Sequence, residues 1–114
     1  MLIKRGDLFW VNLDPVKGSE QAGRRPVCVI QNDVGNEYAS TVIVAPLTTA
    51  KFAKKYPTNV IFPKGTAGLK FDSTALLSQI RVIDKTRLEG KIGHLSEKYM
   101  DEVDEALRIS LSLR

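Results

Sequence analysis

The chain has 114 residues, with 43% hydrophobic and 26% charged side chains and a formal charge of +4 at pH 7. That length suits one core without staples and argues against two, so a single domain over residues 1–114 is expected. One cysteine excludes an internal disulfide, and nothing approaches 18 consecutive apolar residues, so a cytoplasmic protein with no membrane partner is expected.

The positive charge is unevenly placed. Residues 1–93 hold 14 basic and 8 acidic side chains, whereas 94–114 hold 3 and 5. A basic body followed by an acidic segment suits a surface for a polyanion plus a separate helix, although many proteins of this charge bind no nucleic acid.

In chain order, Asp7–Leu13 carries Phe9, Trp10, Val11 and Leu13 ahead of the turn residues Asp14 and Pro15. Pro26–Asn32, Thr41–Leu47, Asn59–Phe62 and Ser73–Ile80 follow as short β-branched or aromatic runs, and Arg81–Ile83 continues around a bend. Such runs, separated by Gly, Asn, Asp or Pro, predict a mainly β protein built as a small antiparallel barrel. The gap from Asn32 to Thr41 is too short for a parallel crossover. Cys28, in the apolar run PVCVI, reads as a small buried hydrophobe.

Two connections exceed what a hairpin needs. Residues 14–25, DPVKGSEQAGRR, form a polar stretch whose length marks a functional or a mobile loop. Residues 48–58, TTAKFAKKYPT, offer a single helical turn with three lysines, or a solvated connection with Phe52 and Tyr56 packed on the sheet.

Toward the C-terminus, Asp84 is placed to cap a short helix through Leu88 that Gly90 would end. Ser96 then caps an amphipathic helix, with Leu95 meeting Met100 as a staple. Tyr99, Met100, Val103, Ala106, Leu107, Leu111 and Leu113 fall on its apolar side, and Ile109 falls outside that arc, partly exposed or facing another subunit.

The common catalytic vocabularies are missing. There is no HExxH, CxxC, GxSxG or GxxxxGK[ST] motif, and a lone His94 excludes a two-histidine ribonuclease. His94 reads as a half-exposed residue before the helix cap. The carboxylates Asp101, Glu102, Asp104 and Glu105 crowd a solvated helix face, so no metal site is expected, and no cofactor.

What remains is a basic loop ending at a strand. Pro26 biases the residue before it toward extended backbone, which places Arg25 at a strand mouth with its fork of donors suited to a phosphate. Arg24 beside it reads equally as half of a solvated basic pair. Glu20 and Gln21 add an acceptor and an amide in the same loop. Thr48 gives a short hydroxyl at a strand end after Pro46 and Leu47. Gln79 and Arg81, two apart, share one face of a strand and point at the same opening if that strand continues.

GSEQAGRRPVCVIQND at 18–33 and KRGDLFWVNLDP at 4–15, with VAPLT at 44–48, FDSTALLSQIRVIDKTRL at 71–88 and a DEVDEAL helix, closely resemble the MazF/PemK family of toxin endoribonucleases. The resemblance runs in order along essentially the whole chain. It implies a compact SH3-like β-barrel with short helices and a two-fold homodimer. It also implies metal-independent cleavage of single-stranded RNA, including mRNA, at a short preferred sequence, and blockade by a cognate antitoxin. Arg25 and Thr48 match positions associated with catalysis in the family. Glu20, Gln79 and Arg81 fall around its substrate site, and Arg24 occupies a variable spacer position. Acid–base chemistry separately gives Glu20 a claim to the role of proton acceptor, because arginine is a poor base near pH 7. The competing class is a non-catalytic small barrel that binds RNA or protein through its loops.

Overall fold

The computed structural model describes residues 2–49 and 56–114. The helical turn expected within residues 48–58 falls on a segment whose residues 50–55, Phe52 included, lie outside the described residues, and Tyr56 at their edge is exposed.

Seven strands form the body: β1 (Asp7–Asn12), β2 (Arg24–Val29), β3 (Thr41–Thr48), β4 (Asn59–Phe62), β5 (Ser73–Leu76), β6 (Arg81–Asp84) and β7 (Leu88–His94). All pair antiparallel, in the order β4-β5-β3-β2-β1-β7, and β6 lies beside β3. Strand β3 pairs with β2 and also serves two further neighbours, β6 and β5. Its first half, Thr41–Val44, pairs with β6, and its last two residues, Leu47 and Thr48, pair with β5.

Period-two alternation buries both faces of this sheet, which explains the near-continuous apolar runs. Leu8, Cys28, Ala45 and Leu47 point into one cluster, while Phe9, Val11, Val27, Val29, Val42 and Val44 point into another. Burial among apolar neighbours pushes the Cys28 thiol up to about 12.

The expected closed SH3-like barrel is not formed: the sheet is open. Its path ends at β4 and β7, and no ladder joins those two among the described residues. The reason lies in what fills the gap. The 3₁₀ turn Thr66–Gly68 packs on β7 so closely that a Cβ on Gly93 would stand 2.0 Å from the Ala67 carbonyl oxygen. Helix α2 (Glu97–Leu111) lies against β4, with Tyr99 edge-on to Phe62 at 5.3 Å between centroids. The β1–β7 ladder is also interrupted twice, after Leu8 and after Phe9. An irregular turn and a helix thus occupy the place of a closing strand pair.

Helix α2 begins as the sequence predicts. The Ser96 hydroxyl accepts from the Tyr99 amide at 3.4 Å, and Leu95 is buried in the cluster against which Met100 packs. Val103 and Ala106 are buried beneath it, and Arg5 holds the helix through Asp104 at 2.7 Å. Leu111 and Leu113, expected on the covered side, are exposed together with Ile109, because the last turn meets the body through Ser110, whose Oγ donates to the Leu77 carbonyl at 2.9 Å.

Two elements differ from expectation. The six-residue α1 (Asp33–Tyr38) occupies a stretch expected to be a connection, capped by Asn32, whose side chain accepts from the Gly35 amide. The Arg5 amide first, and then the Asn36 side chain, hold the Asp33 carboxyl below the usual carboxylate range. Asp84 does cap, but only the single 3₁₀ turn Lys85–Arg87. Its carboxylate accepts from the Thr86 hydroxyl and amide, which lower its pKa. The chain then runs on as β7 through Gly90 instead of ending a helix there. Among the described residues, no helix is long and apolar enough to cross a membrane.

Candidate active site

The polar segment between β1 and β2 is held by its own short-range bonds. The Leu13 amide donates to the Gly23 carbonyl at 2.9 Å, and the Gly23 amide donates to Asp14 Oδ1 at 3.1 Å. Gly23 has φ of 80°, a conformation that L side chains rarely adopt. Within the loop the Glu20 carboxylate accepts from the Lys17 amide at 2.6 Å and remains exposed.

Arg25 sits at the second position of β2, opposite Val11. Its Nε donates to the Ala22 carbonyl at 2.6 Å, and its Nη1 donates to Thr48 Oγ1 at 3.3 Å. Thr48 ends β3, is buried, and is fixed in register with Thr74 of β5. One hydroxyl at a strand end and one guanidinium at a strand mouth therefore meet.

They meet on the wall of a cavity of about 550 Å³ that Trp10, Arg24, Lys70 and Phe71 also line. Arg24, Arg25, Lys70 and Lys91 give this lining four cations and, among the described residues, no carboxylate, while Glu89 outside it pairs with Arg24 at 2.7 Å and Asp7 approaches Lys91 at 3.3 Å. A positively biased site with partly apolar walls attracts an anion and strengthens its hydrogen bonds.

A second cavity, of about 540 Å³, is lined by Glu20, Gln21, Gln79 and Arg81 together with Ser19 and Ser78. The Gln21 amide donates to Gln79 Oε1 at 2.8 Å, and Arg81 Nη1 donates to the Leu13 carbonyl at 3.1 Å. The seven sequence-predicted residues are thus divided: Arg24, Arg25 and Thr48 line one cavity, and Glu20, Gln21, Gln79 and Arg81 line the other. Segment 20–25 contributes to both.

Two details differ from the sequence reading. Strand β5 stops at Leu76, so Gln79 lies in the following turn and does not alternate with Arg81 along one strand. They share an opening because the turn folds back, with the Gln79 amide donating to the Leu76 carbonyl. Arg24 is engaged rather than simply solvated. Its Nε is 2.7 Å from Glu89 Oε1, and its guanidinium carbon lies 4.5 Å from the centre of the Trp10 ring.

His94 is half-exposed, as expected, but it has a partner that the sequence does not announce. Its Nδ1 is 2.7 Å from Oδ1 of the buried Asp7, which Lys91 approaches at 3.3 Å and whose Oδ2 accepts from the Lys4 amide. This cluster ties the start of β1 to the end of β7. His94 lines neither cavity. Among the described residues, no three His, Cys, Asp or Glu side chains converge as a metal site would require. Sequence reasoning missed Trp10, Lys70 and Phe71; the only available signal was an aromatic next to a lysine before a strand.

The chain is thus a small, mainly β protein whose open antiparallel sheet carries a cation-lined cleft at its polar loop and strand ends. The chain belongs to the family of PemK-like, MazF-like toxins of type II toxin–antitoxin systems, whose model matches residues 4–111. It is 53% identical over 113 residues to endoribonuclease EndoA of Bacillus subtilis, covering 99% of this chain and 97% of that protein. Among solved structures it resembles MazF of Deinococcus radiodurans, with a TM-score of 0.83, 26% identity and 98% of each chain covered. It also resembles a MazE–MazF structure from that organism, with a TM-score of 0.77 and 28% identity over 100% of this chain and 99% of that one.

Proposed function

We propose that the chain is a metal-independent endoribonuclease that cuts single-stranded RNA, including mRNA, at preferred sequences as the toxin of a toxin–antitoxin pair. The observation that carries this reading is the convergence of Arg25 and Thr48 in the cation-lined cavity. The identity to EndoA supports the activity, and the likeness to the MazE–MazF structure supports a cognate antitoxin as partner. It acts in the cytoplasm, where its substrate is. A homodimer fits the directly paired and exposed Ile43 of β3 and Val82 of β6, together with exposed Ile109 and Leu111.

The nucleophile belongs to the substrate. The RNA 2′-hydroxyl attacks the adjacent phosphorus in line, giving up its proton to the surroundings, the P–O5′ bond breaks, the departing O5′ takes up a proton, and a 2′,3′-cyclic phosphate and a free 5′-hydroxyl result. Intramolecular attack of this kind needs positioning and charge stabilisation more than an external nucleophile. Arg25 pairs with the phosphate oxygens and stabilises the charge that grows on them, and Thr48 orients the phosphate by hydrogen bonding. Bonding of Arg25 Nε to Ala22 fixes the guanidinium plane while Nη1 faces the hydroxyl. Glu20, Gln21, Gln79 and Arg81 bind the strand as it leaves the reacting phosphate, in the neighbouring cavity.

The test is incubation with single-stranded RNA and with DNA of the same sequence, both in EDTA. RNA cut to cyclic-phosphate ends with DNA intact is the expected result, since DNA lacks the attacking hydroxyl. No cutting across long RNAs of varied sequence would overturn the reading in favour of a binding module.

A further inference from the structure

The Arg25–Thr48 cavity carries two aromatic rings that the cleavage chemistry does not use. Phe71, just before β5, is 68% exposed although it lines that cavity. Trp10, on β1, is half-buried and shares the lining, with the Arg24 guanidinium over its ring. Glu89 holds Arg24 from the β7 side, so this planar cation is fixed by two partners.

Flat aromatic surface beside a row of cations and a phosphate-binding fork is what an unpaired nucleotide needs. The base stacks, the phosphate pairs, and no Watson–Crick partner competes for the base. An acidic peptide would also meet the cations, but it offers Phe71 a planar partner only where it carries an aromatic side chain, whereas every nucleotide brings a base beside its phosphate. Resting on the RNA reading above, we infer that this cavity is a nucleobase subsite adjoining the reacting phosphate, where one unpaired base stacks on Phe71 with the Trp10–Arg24 pair as a second flat surface. Stacking tolerates any base, so the subsite sets affinity and register, leaving base choice to polar groups elsewhere.

Trp10 is the only tryptophan, so its emission reports on this cavity. The probes are a single-stranded DNA hexanucleotide of mixed sequence, which lacks the attacking hydroxyl, and an abasic phosphodiester of equal length. The DNA is expected to quench Trp10 and the abasic strand to bind weakly without that quench. Phe71→Ala, at an exposed position that does not support folding, weakens DNA binding by roughly 5- to 150-fold, and Phe71→Tyr restores it. Abasic binding is unchanged by either variant. In RNA cleavage Phe71→Ala raises KM more than it lowers kcat. Equal DNA binding by wild type and Phe71→Ala, or DNA binding without a change in Trp10 emission, overturns the subsite even if RNA is cut. Quenching by an acidic peptide but not by DNA overturns it in favour of a protein-docking face. Quenching by the DNA but not by the abasic strand, with no RNA cleavage, supports the subsite and removes the enzyme reading alone.

Discussion

Arg25 Nη1 and Thr48 Oγ1 stand 3.3 Å apart across 23 positions of sequence, joined by the pairing of β2 with β3. The two side chains are expected to act as one unit. Arg25→Ala should retain the fold by circular dichroism yet lose RNA cleavage by about 100- to 1,000-fold, corresponding to about 3 kcal/mol of transition-state stabilisation. Thr48→Val, which keeps the β-branched shape, should lose roughly 10- to 100-fold. The double variant should be little worse than Arg25→Ala alone. Single-turnover rates check all three, and normal turnover by Arg25→Ala would remove its catalytic role.

Glu20 lines the neighbouring cavity and caps the Lys17 amide. We therefore expect Glu20→Gln to change KM more than kcat, with a pH–rate profile that stays flat through the carboxylate range. A loss of 100-fold or more in kcat, with an acid limb that disappears in the variant, would instead make Glu20 the proton acceptor.

Gly93 has no room for a side chain, because the Ala67 carbonyl oxygen occupies the place of a Cβ. Gly93→Ala should cost at least about 1–3 kcal/mol. For a chain of this size the melting temperature should fall by roughly 5–15 °C. Gly90→Ala, in the same strand and with nothing within 4 Å, should change it little. Thermal melts of the pair test whether the 3₁₀ turn packs against β7 as described.

The Cys28 thiol is buried and pushed up to about 12 from an ordinary 9.0. The native state therefore keeps a proton that the unfolded chain loses, and stability falls as pH rises through that window. At pH 8 iodoacetamide should label Cys28 only as fast as the protein opens, so labelling across a urea series should track unfolding seen by circular dichroism. Rapid labelling of the native protein would contradict the burial.

Most strands were legible because β-branched runs sat between turn residues, and Arg25 was legible because Pro26 constrains it. Strand β7 was not. LEGKIGH contains Gly90, which reads as the stop of a short helix, and its place depends on a bulged ladder to β1 that no local pattern encodes. Openness of the sheet was equally hidden, since alternation says which side chains point inward but not which edges meet. The pairing of Arg25 with Thr48 was anticipated through resemblance rather than spacing. The division of the candidate residues between two cavities, the capture of Arg24 by Trp10 and Glu89, and the anchoring of His94 by Asp7 all depend on three-dimensional neighbours.

Arg25 also has a second attachment, to the Ala22 carbonyl. The group assigned to the reacting phosphate is thus a staple for the very partition between the two chambers. On the proposed RNA reading, chemistry and strand binding share this one side chain, so attempts to retune which sequences are cut should leave residue 25 alone and work from the turn around Gln79.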